Sequence, residues 1–258
     1  YIVIDLDQLD NDYKEILQQD DIDLVISIGG DGTLIHIASA LSEKNIPILG
    51  INRGNLGFLT EFHPDNFFDV IREILEGQYK VQERILLQCW VSDKPEKKYF
   101  AVNDVVARSL TDVFITKIET WVDTYFLNTY FADGIIFSTP TGSTAYSLSA
   151  GGPIAHPNLD VIIASPICPH SLAIRPMVIS SEEKIIVRIS NNKNRPMSLI
   201  IDGQRKRLLT QDEKLYITKP PNTIKMLHSF SWNFYDILRE KFKGGFIKSN
   251  ECGFRGDE

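Results

Sequence analysis

The chain has 258 residues, 43% of them apolar and 24% charged, and a formal net charge of −7. That composition suits a globular protein with one large or two ordinary domains, and its acidic balance excludes a protein whose main business is gripping duplex nucleic acid through phosphate contacts. Three scattered cysteines, Cys89, Cys168 and Cys252, lack zinc or disulfide spacing and suit a reducing cytoplasm, and no apolar run reaches membrane-spanning length.

The chain opens on Tyr1 rather than Met, so some N-terminal sequence is expected to precede it; the opening has neither the basic flank nor the cleavage pattern of a leader. Residues 1–78 alternate strand and helix patterns. Strands are expected over residues 1–6, 24–28 and 46–51, and helices over 12–19, 34–42 and 65–76, the last opened by Pro64 and closed by Gly77. Such alternation implies a Rossmann-like parallel sheet with covered faces, whose ligands bind beyond the carboxyl ends of the strands.

The strand over residues 24–28 runs into Gly29-Gly30-Asp31-Gly32-Thr33, a strand-to-helix turn. Glycines there permit positive φ and close ligand approach, and the free N–H groups of the next helix favour an anion such as phosphate. Asp31 does not fit a pure phosphate cradle, because its charge repels phosphate unless it binds a metal or takes a proton from a hydroxyl. Either Asp31 is catalytic or it merely caps the helix. Residues 52–59, Asn-Arg-Gly-Asn-Leu-Gly-Phe-Leu, follow the third strand and should emerge on the same edge, where Arg53 is either a phosphate clamp or a solvated surface cation.

After Gly77 the pattern changes to period two. Strands are expected over residues 85–91, 99–107, 114–122, 134–138, 161–164, 184–189, 198–201, 215–218 and 223–227, an antiparallel, sandwich-like assembly. A helix over residues 233–242 ends before Gly244-Gly245, and a polar, loosely ordered tail covers 248–258. The expected organisation is an α/β domain (1–78), a β-rich, sandwich-like domain (79–230), and a C-terminal helix and tail (231–258), the helix returning to the first domain.

Residues 132–154 hold a second constellation, Ala-Asp-Gly-Ile-Ile-Phe-Ser-Thr-Pro-Thr-Gly-Ser-Thr-Ala-Tyr-Ser-Leu-Ser-Ala-Gly-Gly-Pro-Ile. Its hydroxyls over 138–144 and the flat face of Tyr146 suit a nucleoside, with a helical turn expected over 145–150, although a Ser/Thr-rich loop is often only a loop. Asp133, and Asn103 with Asp104, interrupt apolar β patterns and either cap turns or grip ribose hydroxyls. Nucleophilic catalysis finds little support: His36 has no activated Ser or Cys beside it, and His63, His156, His170 and His228 lack metal-ligand spacing.

Together these strings resemble the NAD kinase family, whose marks are Gly-Gly-Asp-Gly-Thr, an Asn-Glu/Asp pair and a Thr-Pro-Thr-Gly-Ser-Thr-Ala-Tyr segment; here they stand at 29–33, 103–104 and 139–154, in the family's order. Residues 52–59 and 175–179 (Arg-Pro-Met-Val-Ile) add to a likeness running from about residue 20 to about residue 240. Diacylglycerol-type lipid kinases share the first string, and the long Thr-Pro-Thr-Gly segment favours NAD kinase over them; the intact Asp31 argues against a non-catalytic dinucleotide sensor, which would keep the Tyr146 pocket without turnover.

The resemblance implies transfer of the γ-phosphate of ATP to the 2′-hydroxyl of the adenosine ribose of NAD, with a divalent metal, Mg²⁺, carried by ATP rather than by a protein site. It makes Asp31 the proton acceptor. Gly29, Gly30, Gly32, Thr33 and Arg53 would serve phosphates. Gly32, Phe58, Asn103, Asp104, Asp133, Thr141, Thr144, Ala145, Tyr146, Ser147, Ser149 and Gln204, beside Asp31, would contact NAD. It further implies a cytoplasmic homo-oligomer, dimer or tetramer, with neither nucleic acid nor membrane as partner. Phe131 stands where many relatives carry a basic residue, Asp104 replaces the commoner Glu, and the chain starts about one βα unit late.

Overall fold

The computed structural model describes residues 21–54, 57–110, 115–189, 197–210 and 213–242. The elements expected over 1–6, 12–19 and 248–258, and Cys252, lie outside them.

Val25–Gly29 (β1) and Ile48–Asn52 (β2) pair in parallel with Gly29 opposite Asn52, and Asp31–Ala40 (α1) makes the crossover. The sheet continues through Ile224–His228 (β16), parallel to β2, to Lys80–Arg84 (β3), antiparallel to β16. The chain thus returns to the first sheet at both ends of the β-rich stretch. One face of this sheet buries Ile48, Ile224 and Met226 against Leu34 and Ala38 of α1 and its C-cap Leu41, and the other buries Leu49, Ile51 and Leu227 against Val70 of Phe67–Leu75 (α2). A short 3-10 turn, Pro64–Asn66, leads into α2 where a continuous helix was expected.

Among the described residues two antiparallel sheets follow, each of six strands. The first comprises Asp104–Ser109 (β6), Gly134–Ser138 (β9), Val161–Ile167 (β10), Met177–Ser180 (β11), Met197–Ile201 (β13) and Gln204–Leu209 (β14), in the order β11-β10-β9-β6-β13-β14. The second comprises Leu87–Val91 (β4), Lys94–Ala101 (β5), Thr116–Val122 (β7), Tyr125–Ala132 (β8), Ile185–Ile189 (β12) and Lys214–Thr218 (β15), in the order β5-β4-β15-β12-β7-β8. Their inner faces share one core, with Val105, Ile135, Phe137 and Leu199 from one sheet and Leu87, Ile118, Val187 and Ile217 from the other. β9 is buried throughout because its other face is covered as well: Ile136 lies with Val106 and Ile167 beneath Tyr146 of the short helix Tyr146–Ser149 (α3).

The single strand expected over 99–107 is two strands, β5 and β6, broken at Val102-Asn103. The break has a cause: Asp202 draws the N–H groups of residues 102–104 onto its carboxylate. β3, β8, β11 and β14 were not expected from sequence. Finally Phe234–Lys241 (α4), capped by Asn233 accepting from the Tyr235 N–H at 2.9 Å, buries Phe234, Ile237 and Leu238; the Phe242 ring that follows lies 6.3 Å from Phe58.

Candidate active site

Asp31 is the first residue of α1, at the carboxyl end of β1. The helix is capped by Gly30 in extended backbone, with no side-chain capping bond, so the capping role is not what Asp31 does. Its carboxylate turns away from its own helix and onto the segment after β2. Oδ2 accepts from the Phe58 N–H at 2.7 Å, and Oδ1 accepts from the N–H groups of Leu59 and Thr60 and from the Thr60 hydroxyl, each at 3.1 Å. This resolves the conflict posed by the sequence. The negative charge is matched by the Phe58–Thr60 donors, while the first-turn N–H groups of α1 stay open to an anion. A carboxylate offers about four acceptor positions, two on each oxygen. Oδ1 is fully engaged, and Oδ2 keeps one lone pair for a substrate hydroxyl. Gly57 permits the close approach, because a Cβ there would lie 2.0 Å from Asp31 Oδ1.

A second turn carries Asn103 and Asp104 between β5 and β6. Asp202, at φ +47° in the β13–β14 turn, accepts from Val102 N at 2.8 Å, Asn103 N at 2.8 Å and Asp104 N at 3.0 Å. Thr139 clasps the turn from the other side: its N–H donates to Asn103 O at 2.9 Å and its hydroxyl to Val102 O at 2.6 Å. Gly142, whose N–H donates to the Thr139 hydroxyl at 3.0 Å, lies so close that a Cβ would sit 2.1 Å from Asn103 O. The Thr-Pro-Thr-Gly string is therefore a brace for the Asn103–Asp104 turn. Asp104 is only 4% exposed; burial, and then the charge of Asp202, push its carboxyl up to about 7. Burial raises Asp202 too, but three N–H groups favour its ionised form, so Asp104 is the member that takes the proton.

The two turns meet across α1. Leu34, one turn after Asp31, and Leu59, whose N–H binds Asp31, share an apolar cluster with Val102. Ser39 donates to Phe100 O at 3.1 Å, and Gln204 Nε2 lies 3.3 Å from His36 Nδ1. Gly29, Gly30, Gly32, Thr33, Phe58, Asn103, Asp104 and Gln204 thus surround α1's N-terminal half or the turn packed on it. Thr141 and Thr144 lie in the 3-10 turn Thr141–Thr144, and Ala145 links it to α3 with Tyr146, Ser147 and Ser149. Arg53 is exposed, its N–H 3.3 Å from Gly29 O, on the edge that carries Asp31.

Two residues are placed differently. Ser147 is buried with its hydroxyl 2.8 Å from that of Ser165, so it pins α3 to β10. Asp133 sits at the Gly134 end of β9, whereas Asp104 pairs with Ser138 at the other end. Four residues of strand, about 13 Å, separate the two ends. Phe131, half exposed on the edge strand β8, shares the far end. Sequence reasoning missed Asp202 and Thr60. An Asp202-Gly203 dipeptide after an apolar run is a hairpin signal that could have found the first; nothing in the local string marks the second. Among the described residues no three His, Cys, Asp or Glu side chains are grouped to hold a metal ion, and no helix is long and apolar enough to cross a membrane.

Residues 9–79 match the family model of the ATP-NAD kinase N-terminal domain, and residues 102–229 that of the ATP-NAD kinase C-terminal domain. A protein named NAD kinase from Clostridium botulinum (strain Kyoto / Type A2) is 41% identical over 245 residues, covering 95% of this chain and 84% of its own. An NAD kinase from Pseudomonas entomophila (strain L48) is 40% identical over 225 residues, 86% of this chain and 76% of its own. Among solved structures, yeast NADH kinase complexed with NADH superposes with a TM-score of 0.80 at 28% identity, over 92% of this chain and 69% of that one. An NAD kinase from Archaeoglobus fulgidus in complex with ATP gives 0.73 at 29% identity, over 89% of this chain and 84% of that one.

Proposed function

The chain belongs to the NAD kinase family, and from that premise we propose that it transfers the γ-phosphate of ATP to the 2′-hydroxyl of the adenosine ribose of NAD, giving NADP, with Asp31 as proton acceptor. The lipid-kinase and sensor readings find no support among the relatives. The observation that carries the proposal is the carboxylate held by the Phe58–Thr60 donors with one Oδ2 lone pair left, beside a helix N-terminus whose Gly30 cap offers no side chain to its N–H groups. Phosphoryl transfer asks mainly for positioning and charge stabilisation. In this reading the Oδ2 lone pair takes the 2′-hydroxyl proton. The amides of Gly30, Gly32 and Thr33, with Arg53, hold phosphate oxygens, and Mg²⁺ arrives with ATP and offsets their charge. Asn103 and Asp104 grip ribose or adenine. Phe58, Thr141, Thr144, Ala145, Ser149 and Gln204 line the remainder, and Asp133 and Ser147 match the family's contact positions. The reading extends to a cytoplasmic homo-oligomer, supported by the free thiols Cys89 and Cys168 for the compartment and by the family resemblance for the assembly. Incubation with NAD and ATP·Mg²⁺ should accumulate NADP only when both are present; no NADP under those conditions sinks the proposal.

Asp104 offers a test of its own. A ribose hydroxyl that donates to it favours the ionised form. With the free carboxyl near 7, NAD binding at neutral pH is expected to release protons. Calorimetry at pH 7 in two buffers of different ionisation enthalpy reads the release. Binding without proton exchange removes Asp104 from the contact.

Tyr146 packs one side on Val106, Ile136 and Ile167, and we assign the other to the base. Tyr146→Leu keeps an apolar filler but no flat face, and should weaken NAD binding by about 1–3 kcal/mol, the range for lost base–aromatic stacking. Unchanged affinity in the folded variant assigns the ring to the core alone.

A further inference from the structure

Among the described residues, the hydrogen bonds to the Asp31 carboxylate come from the segment ending at Thr60, and the next side chain, Glu61, has no part in the chemistry described so far. It is not a solvated surface glutamate. Its side chain is 19% exposed. Oε2 accepts from His228 Nδ1 at 3.1 Å and from the Ser229 N–H at 3.2 Å, and Oε1 accepts from the Ser229 hydroxyl. Because a carboxylate can only accept, His228 carries its proton on Nδ1. Burial holds this histidine below its ordinary range, so the ring is neutral and, among the described residues, Nε2 has no partner. His228 is 1% exposed and stacks on Trp232 at 4.3 Å, and the buried Arg84 guanidinium lies 5.6 Å from the same indole. A ring held on that many sides is a rigid donor.

The place of this anchor in the fold gives it meaning. β16 runs parallel to β2, so His228 at its carboxyl end lies on the edge that carries Gly29 and Asn52. Phe62 fixes the segment's height along β2, with Asn52 N donating to Phe62 O at 2.7 Å. Backbone bonds at Phe62 alone leave the chain free to roll about its axis, and a roll would swing the Phe58–Thr60 donors off Asp31. Leu59, buried with Leu34 and Val102, holds the segment from the α1 side, and Glu61 holds it from the β16 side through His228 and Ser229. We infer that Glu61 is a positioning residue, locked by His228 and Ser229 so that the Phe58–Thr60 segment presents the Asp31 carboxylate to the substrate hydroxyl. The inference rests on the reading of Asp31 as proton acceptor.

The test is steady-state kinetics on Glu61→Ala, His228→Leu, His228→Asn and Ser229→Ala beside Asp31→Asn, with thermal melts confirming that each is folded. A base misplaced by about 1 Å can cost about 10²-fold. Glu61→Ala and His228→Leu are therefore expected to lower kcat by about ten- to a hundredfold, with KM for NAD and for ATP within about threefold. In His228→Asn the amide donates from near the Nδ1 position, and kcat should recover to within about threefold of the parent. Ser229→Ala, which removes one half-buried hydroxyl, should lose about threefold in kcat and keeps the question answerable if Glu61→Ala does not fold. Unchanged kcat in folded Glu61→Ala or Ser229→Ala, while Asp31→Asn is inactive, overturns the inference and leaves the base intact. A rise in KM at constant kcat overturns it too, since Glu61 then serves binding. No recovery in folded His228→Asn makes the effect one of packing. Turnover in Asp31→Asn removes the base and this inference with it.

Discussion

Asp31→Asn is expected to lower NADP formation by about 10²- to 10⁴-fold, the usual cost of losing a general base, while NAD binds within about tenfold of the parent. The amide keeps the volume and one oxygen. That oxygen can still accept from Leu59, Thr60 and the Thr60 hydroxyl, as Oδ1 does now. The NH₂ then falls where Oδ2 was, against the Phe58 N–H, so two donors face each other across the present 2.7 Å contact. Leaving that N–H unpaired costs about 1–3 kcal/mol. The variant should therefore melt somewhat earlier and bind NAD nearly as well, yet lack the lone pair that takes the proton. Single-turnover rates separate the two effects, because a loosened segment alone scatters geometry and an absent base removes the step. Near-parent turnover in the purified variant reduces Asp31 to a turn residue.

Much of the candidate site's layout was legible because its residues lie in contiguous strings: the Gly-Gly-Asp-Gly-Thr turn, the Asn103–Asp104 pair and the Thr-Pro-Thr-Gly segment all sit where ordinary strand and turn rules put them. The strands that escaped notice, β3, β8, β11 and β14, share one physical property, for each is the last strand of its sheet. An edge strand is packed on fewer sides and is often charged to deter pairing with another chain. Lys80-Val-Gln-Glu-Arg84 and Gln204-Arg-Lys-Arg-Leu-Leu209 read accordingly as polar connections. The same applies to Lys94-Pro-Glu-Lys-Lys98 at the start of β5, another edge. What the sequence hides at the site are the tertiary hydrogen bonds. The donors on Asp31 are mostly backbone N–H groups, which every residue but proline possesses, so only Gly57 marks the approach. Asp202 carried only its Asp-Gly dipeptide as a sign, because the polar β14 that completes the hairpin does not read as a strand.

Gly142→Ala is expected to damage the protein more than any other single methyl added to the Thr-Pro-Thr-Gly segment. The new Cβ would lie 2.1 Å from Asn103 O, 2.5 Å from its carbonyl carbon and 2.7 Å from its Cα, all backbone atoms. A flexible side chain could step aside, but this turn cannot do so cheaply. Asp202 holds three of its N–H groups, and Thr139 holds Asn103 O and Val102 O. Overpacking of a fixed region costs about 1–3 kcal/mol, and relief requires the two turns to separate. If Asn103 and Asp104 grip NAD as proposed, separation pulls them off it, and NAD affinity should fall by at least about tenfold, or 1.4 kcal/mol. It should also let water reach Asp104, and the proton release on NAD binding at pH 7 should shrink as that carboxyl returns toward its ordinary range. Gly54→Ala is the matched control, since its Cβ would meet nothing nearer than Asn52 Oδ1 at 3.9 Å. Equal melting temperatures and equal NAD affinities for the two variants would mean that the brace yields freely, and the Thr-Pro-Thr-Gly string would lose its role in holding the ribose-gripping turn.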